Sequence, residues 1–284
     1  MRLTPSIFAM LLCVCAASAA TNPAWNKPVD PYRIAGNLYY VGTNYLASYL
    51  IVTPQGNILI NAGFEETPAL IRASVEKLGF HFADTKYLLN SQAHDDHAAG
   101  SFLIREWTGD RVLVMEQDAF VIEHGGKGDF RYDGETSWRP CKVDRVLHDG
   151  DTVSLGGSTL VAHLTPGHTR GCTTWTMAVR DGNRTLNAVI VGGVSVNSGY
   201  VLVNNPKYPG IAEDYRRTFR VLRSLSCDLF LGAHPGYYDG EAKYERMKAG
   251  AAQNPFIDPQ GYREFIDNAE KEFEEKLAAS SPAH

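Results

Sequence analysis

The stretch from Tyr87 to Gly100, Y-L-L-N-S-Q-A-H-D-D-H-A-A-G, constrains this chain more than any other. Tyr87 to Leu89 is an apolar run that reads as the end of a buried strand. The sequence then turns polar, sets His94, Asp96 and His97 side by side, and continues into a helix-like segment from Ala98 to Trp107. Neutral imidazole nitrogens and a carboxylate oxygen are ordinary zinc ligands. On a strand-to-helix turn they make one side of a compact metal site. Gln92 stands where a further ligand is expected. The remaining donors must come from segments that the fold brings back to this turn.

Two downstream histidines meet that requirement. His168 lies in P-G-H-T and His234 in A-H-P-G, each in a Pro-Gly loop after an apolar strand-like run. Loops at strand ends are where sites are built on rigid scaffolds. His81, His124, His148 and His163 are isolated and read as surface or core residues, and His284 is terminal.

With 284 residues, 44% hydrophobic and 21% charged, the chain has the composition of an ordinary globular protein. A net charge of -5 without a basic run argues against nucleic acid as a partner. Residues 1–19 read as a cleaved signal peptide: Arg2, an apolar core from Ile7 to Ala17, then Ala17-Ser18-Ala19 as a cleavage site. Too short to span a bilayer, the segment predicts export to a periplasm and no membrane association after cleavage. Residues 20–284 are then a single domain. Export permits disulfides. Of Cys141, Cys172 and Cys227 at most one pair can form internally, and a Cys141–Cys172 bridge would brace the loop of His168.

Strand-like runs fill the chain from Leu38 to Ile60, at Lys86–Leu89 and at Arg111–Met115, and again from Val143 to Leu164 and from Cys172 to Val191. Helical periodicity marks Glu66–Leu78, Ile211–Ser224 and Pro259–Ala279. Strands followed by helices, twice over, predict two sheets packed face to face with helices outside, an αββα sandwich of the α/β class. His124 to Trp138 is aperiodic and rich in Gly, Asp and aromatics, the composition of many functional loops.

Taken together, Q-A-H-D-D-H, P-G-H-T and A-H-P-G resemble the metallo-β-lactamase superfamily, whose first motif is usually H-x-H-x-D-H. Asn205 to Pro209, Glu213 to Arg217 and Cys227-Asp228 resemble its subclass B3, and Gln92 in the first position resembles the GOB-type branch of that subclass. The resemblance implies one or two zinc ions. Gln92, His94 and His168 would form a first site, and Asp96, His97 and His234 a second. A water activated between them would attack the β-lactam carbonyl of a penicillin, cephalosporin or carbapenem. Asp96 would orient that water, and the second zinc would stabilise the leaving nitrogen. A neutral amide is a poorer zinc ligand than imidazole, so the first site is expected to be the weaker. Tyr200 matches a tyrosine whose hydroxyl lies near the lactam carbonyl. Ser195, Asn197 and Ser198 are candidates for binding substrate, and Phe130 and Trp138 for an apolar lip. Asn61 stands where the superfamily usually has an aspartate. The enzyme is expected to act as a monomer.

Related hydrolases, thioesterases and lactonases among them, share this fold, so the fold does not give the function. From Gly182 to Ala212 there is no Asp, Glu or Cys. The carboxylate that bridges two metals in other members, and the cysteine of other lactamase subclasses, are thus missing, which favours the B3 arrangement. A non-catalytic zinc-binding descendant is the alternative from another class.

Overall fold

Seven strands, neighbours in space in the order in which they occur in the chain, form the first sheet. They are β1 (Tyr32–Ala35), β2 (Leu38–Tyr40), β3 (Tyr49–Thr53), β4 (Gly56–Ile60), β5 (Thr85–Leu89), β6 (Arg111–Met115) and β7 (Arg145–Leu147). The computed structural model that shows this describes residues 23–135 and 137–280; the expected signal segment 1–19 lies outside the described residues. β1 to β4 pair antiparallel, and β4 to β7 run parallel. Parallel neighbours require crossover connections. These are α1 (Thr67–Lys77), then α2 (Asp95–Ala98) with α3 (Ser101–Thr108), then α4 (Glu116–Glu123).

The apolar runs of this sheet have no polar face because both faces are covered. Tyr49, Ile51, Ile58, Ile60, Leu89 and Leu113 point into the core shared with the second sheet. Their neighbours Leu50, Leu59, Leu88, Val112 and Val114 point the other way, against Ile71 and Val75 of α1, Ile104 of α3 and Ile122 of α4. The two-residue side-chain period of a strand divides each run between two cores.

The second sheet holds β8 (Thr152–Leu155), β9 (Ser158–Leu164), β10 (Thr173–Asp181), β11 (Arg184–Val191) and β12 (Leu229–Gly232). β8 to β11 are an antiparallel meander, and β12 joins β11 in parallel after the crossover helix α5 (Ile211–Ser224). Two further helices follow, α6 (Gly240–Lys248) and α7 (Pro259–Ser280). Tyr215 of α5 stacks on Phe273 of α7, and Arg223 pairs with Asp267 and Glu270. The expected αββα sandwich is the architecture found.

Local differences have local causes. The helix predicted to begin at Ala98 is two helices, and the first already contains Asp96 and His97. α6 went unanticipated because its sequence, G-E-A-K-Y-E-R-M-K, carries no apolar stripe. No helix among the described residues is long and apolar enough to cross a membrane.

Candidate metal centre

Segments following β5, β9, β11 and β12 converge on one cleft. The segment after β5 carries Gln92 and His94, then enters α2 with Asp96 and His97. The loop after β9 carries His168, and the one after β12 carries His234. Asp96, His97 and His234 come together so that one ligand atom from each lies within 4.8 Å of the others. His97 Nε2 is 3.1 Å from His234 Nε2 and 3.2 Å from Asp96 Oδ2. His234 Nδ1 donates to the Tyr45 carbonyl at 3.0 Å, which leaves its Nε2 lone pair aimed at the cluster.

His94 and His168 form a neighbouring pair, and Gln92 precedes His94 by two residues. The rings of His94 and His168 meet edge to face, 4.8 Å apart. His168 Nδ1 donates to the Ser195 carbonyl at 2.7 Å, again leaving Nε2 free. His94 Nε2 lies 3.7 Å from a carboxylate oxygen of Asp129, which favours the proton on that nitrogen and the lone pair on Nδ1. Gln92 is 1% exposed, and both atoms of its amide lack a protein hydrogen-bond partner. A buried amide without partners is costly unless something else binds it. Beneath His168 runs Gly193, where a Cβ would stand 2.2 Å from the imidazole, so only glycine permits that approach.

Electrostatics set the charge of the candidate ligands. Burial, reinforced by neighbouring imidazoles, lowers His94 to about 4, His168 to about 3 and His234 to about 4, so all three are neutral at pH 7. Burial opposes ionisation of Asp96, but the imidazoles of His97, His234 and His94 outweigh it and hold the carboxylate well below its usual range. Neutral imidazoles around an ionised carboxylate are the donor set that zinc takes, so these residues fit the metal.

The cleft has a volume of about 400 Å³ and is walled by Trp25, Tyr45, Asp95, Tyr132 and Tyr237 besides His94, His168 and His234. Ser195 and Asn197 line it; Ser198 does not, and its carbonyl accepts from Arg131. Tyr200 corrects the expectation. Its hydroxyl donates to the His168 carbonyl at 2.6 Å, so its proton braces the ligand loop rather than facing the cleft. Phe130 and Trp138 are no lip either: both are buried, Phe130 against Tyr200 and Tyr208, Trp138 in the outer core of the first sheet. Tyr132 occupies the cleft instead. Its hydroxyl accepts from Asn197 Nδ2 at 3.1 Å and keeps its own proton to donate.

The Cys141–Cys172 bridge does not form; Cys141, Cys172 and Cys227 are free. Cys141 belongs to the outer core, whereas Cys172 Sγ accepts from the Gly193 amide at 2.8 Å beneath His168. Burial pushes both thiols up to about 12, far from the thiolate that disulfide formation needs. Asn61 is buried in a left-handed conformation (φ 65°), and its Oδ1 accepts from the Ser91 amide at 2.9 Å, one residue before Gln92. The carboxylates beside the candidate ligand segments are Asp129 and Asp118, which the sequence reading missed. The available signal for Asp118 was an acidic residue on the otherwise apolar face of Ala119, Val121 and Ile122.

Helix-flanked twin sheets with histidine and aspartate donors at their strand ends define a metallo-hydrolase fold. A family model for the metallo-beta-lactamase superfamily matches residues 42–234, and the chain belongs to that superfamily. Native FEZ-1 metallo-beta-lactamase from Legionella gormanii is 53% identical with a TM-score of 0.89, over 91% of this chain and 99% of that one. The class B3 di-zinc metallo-beta-lactamase LRA-12 from an Alaskan soil metagenome is 38% identical with a TM-score of 0.85, over 91% and 98%. A probable metallo-hydrolase of Burkholderia pseudomallei is 32% identical over 108 residues, 36% of this chain. The match spans about a third (34%) of that curated relative.

Proposed function

We propose that this chain is a zinc-dependent β-lactamase of the B3 type that opens the lactam ring of penicillins, cephalosporins and carbapenems. The observation that carries the proposal is the convergence of Asp96, His97 and His234 beside His94 and His168 at one cleft. Likeness along nearly the whole of FEZ-1 supports the same reading. Asp96, His97 and His234 would hold one zinc. His94, His168 and the Gln92 carboxamide oxygen would hold a second, more weakly, in the manner of the GOB-type branch. When bound, zinc acidifies a water and places positive charge beside the scissile amide. The chain's own groups do the rest. Asp96 accepts a hydrogen bond from the attacking water and orients it. Tyr132 donates its free proton to an acceptor on the substrate, and Ser195 and Asn197 meet its carboxylate. The stacked Trp25–Tyr45 pair, centroids 4.5 Å apart, gives an apolar substituent a flat wall.

Residues 1–19 would direct export and be removed, leaving a periplasmic monomer of residues 20–284 that acts where β-lactams act. N-terminal sequencing of the exported protein tests this.

Hydrolysis of a chromogenic cephalosporin, with and without chelator, tests the activity. The expected result is zinc-dependent turnover that His234→Ala and Asp96→Asn each reduce at least ~100-fold. Zinc-loaded protein that turns over a thioester or lactone but no cephalosporin would refute the lactamase reading. Zinc binding with no turnover of any of them would make the chain a non-catalytic descendant.

A further inference from the structure

The three residues of the first site sit on two loops far apart in the chain, and one buried carboxylate holds both loops. Asp118 lies in the first turn of α4 and is 2% exposed. Its Oδ2 accepts from the Ala93 amide at 3.0 Å and from the Thr169 hydroxyl at 2.6 Å, and its Oδ1 accepts from the Gly171 amide at 2.7 Å. Ala93 stands between Gln92 and His94, and Thr169 directly follows His168. The carboxylate therefore holds the backbone between Gln92 and His94, and the Thr169 side chain and Gly171 backbone just after His168, without hydrogen-bonding any of the three candidate ligands. Its own position is fixed, because Ala119, Val121 and Ile122 pack the same helix into the core.

The second site is held by other means. The His97 carbonyl accepts from the Ala62 amide at 2.9 Å, the Ala233 carbonyl from Ala47 at 3.0 Å, and His234 Nδ1 bonds to Tyr45. Asp118 takes part in none of these contacts.

We propose that Asp118 is a positioning residue that sets the distance between the Gln92–His94 segment and the His168 loop, and thereby sets the metal affinity of the first site alone. The proposal rests on the reading of Gln92, His94 and His168 as a metal site. It also explains Gly171: a Cβ there would fall 2.6 to 2.7 Å from Asp118 backbone and side-chain atoms and push the helix and loop apart.

The test compares Asp118→Asn, Asp118→Ala and Gly171→Ala with the parent chain. Cobalt and zinc are titrated into chelated protein, cobalt followed by its visible absorption and zinc by competition with a chromophoric chelator. The expected result is a first-site affinity lowered about 10- to 100-fold, the usual cost of losing an outer-shell partner. The second site should stay within about threefold of parental affinity. Asp118→Asn keeps one of the two acceptor oxygens and should lose less than Asp118→Ala; Gly171→Ala, with the carboxylate intact, should show the same selective loss. Circular dichroism identifies any variant that fails to fold, and the remaining variants then decide. Two sites weakened equally, or neither weakened, would overturn the proposal. A parent chain that binds cobalt at the second site only would overturn the reading of the first site, and this proposal with it.

Discussion

Replacing Gln92 by leucine separates the stability of the chain from its metal chemistry. Gln92 is buried, and neither its Oε1 nor its Nε2 has a protein partner. Each unmade hydrogen bond of a buried polar atom costs about 1–3 kcal/mol, and an apolar group of similar shape removes that cost. Taking about 2 kcal/mol in all, and an unfolding entropy of about 2.1 cal/mol/K per residue over a chain of this size, the midpoint should rise by roughly 4 °C. Calorimetry on chelated Gln92→Leu and parent protein measures this. In zinc the order should invert, because the variant has lost an oxygen donor and with it occupancy of the first site. Metal content after equilibrium dialysis should fall towards one zinc per chain. A chelated variant less stable than its parent, or one that keeps a second zinc with parental affinity, would refute the reasoning.

Gln92→His should tighten the first site about 10-fold or more, since imidazole is the better zinc ligand; a chelator competition assay measures it. Tyr200→Phe should lower kcat only a few-fold, because the hydroxyl braces the His168 carbonyl; a loss of about 100- to 1,000-fold would mark it as an oxyanion donor after all. Asp110 is 2% exposed with both carboxylate oxygens unpartnered, and burial raises its carboxyl to about 7. An acid raised in the native state makes the folded protein bind an extra proton between the unfolded value near 4 and about 7. Stability is therefore lost as pH rises through that window. Asp110→Asn should stabilise the protein by on the order of 2–4 kcal/mol at pH 8 and by little at pH 4, read from urea denaturation at the two pH values.

Much of this site was legible in the sequence because metal chemistry restricts residue type. His94, Asp96, His97, His168 and His234 could be picked out by side chain and loop context, and all five line or adjoin the cleft. The sandwich was legible because its strands read as apolar runs and α5 as a regular amphipathic helix. What escaped depends on direction and contact. Tyr200 and Tyr132 are both tyrosines near the site, and only the fold shows that one hydroxyl is committed to a backbone carbonyl while the other faces the cleft. Cys141 and Cys172 looked like partners because a bridge between them would brace the loop of His168, yet they occupy different environments. Asp118 acts through bonds to residues distant in the chain, and Asp129 through its approach to His94, and no spacing rule announces such contacts.

Each candidate triad draws on both sheets. Gln92 and His94 follow β5 of the first sheet and pair with His168 from the second; Asp96 and His97 pair in the same way with His234. A metal bound at either place is thus a removable staple between the two halves of the sandwich. Zinc at a thousand times its dissociation constant would add about 4 kcal/mol to the folded state through either site. Scarcity of zinc would then cost the protein more than its chemistry: it would loosen the seam between the sheets and expose the chain to proteolysis, so that the amount of enzyme as well as its activity would follow the supply of metal.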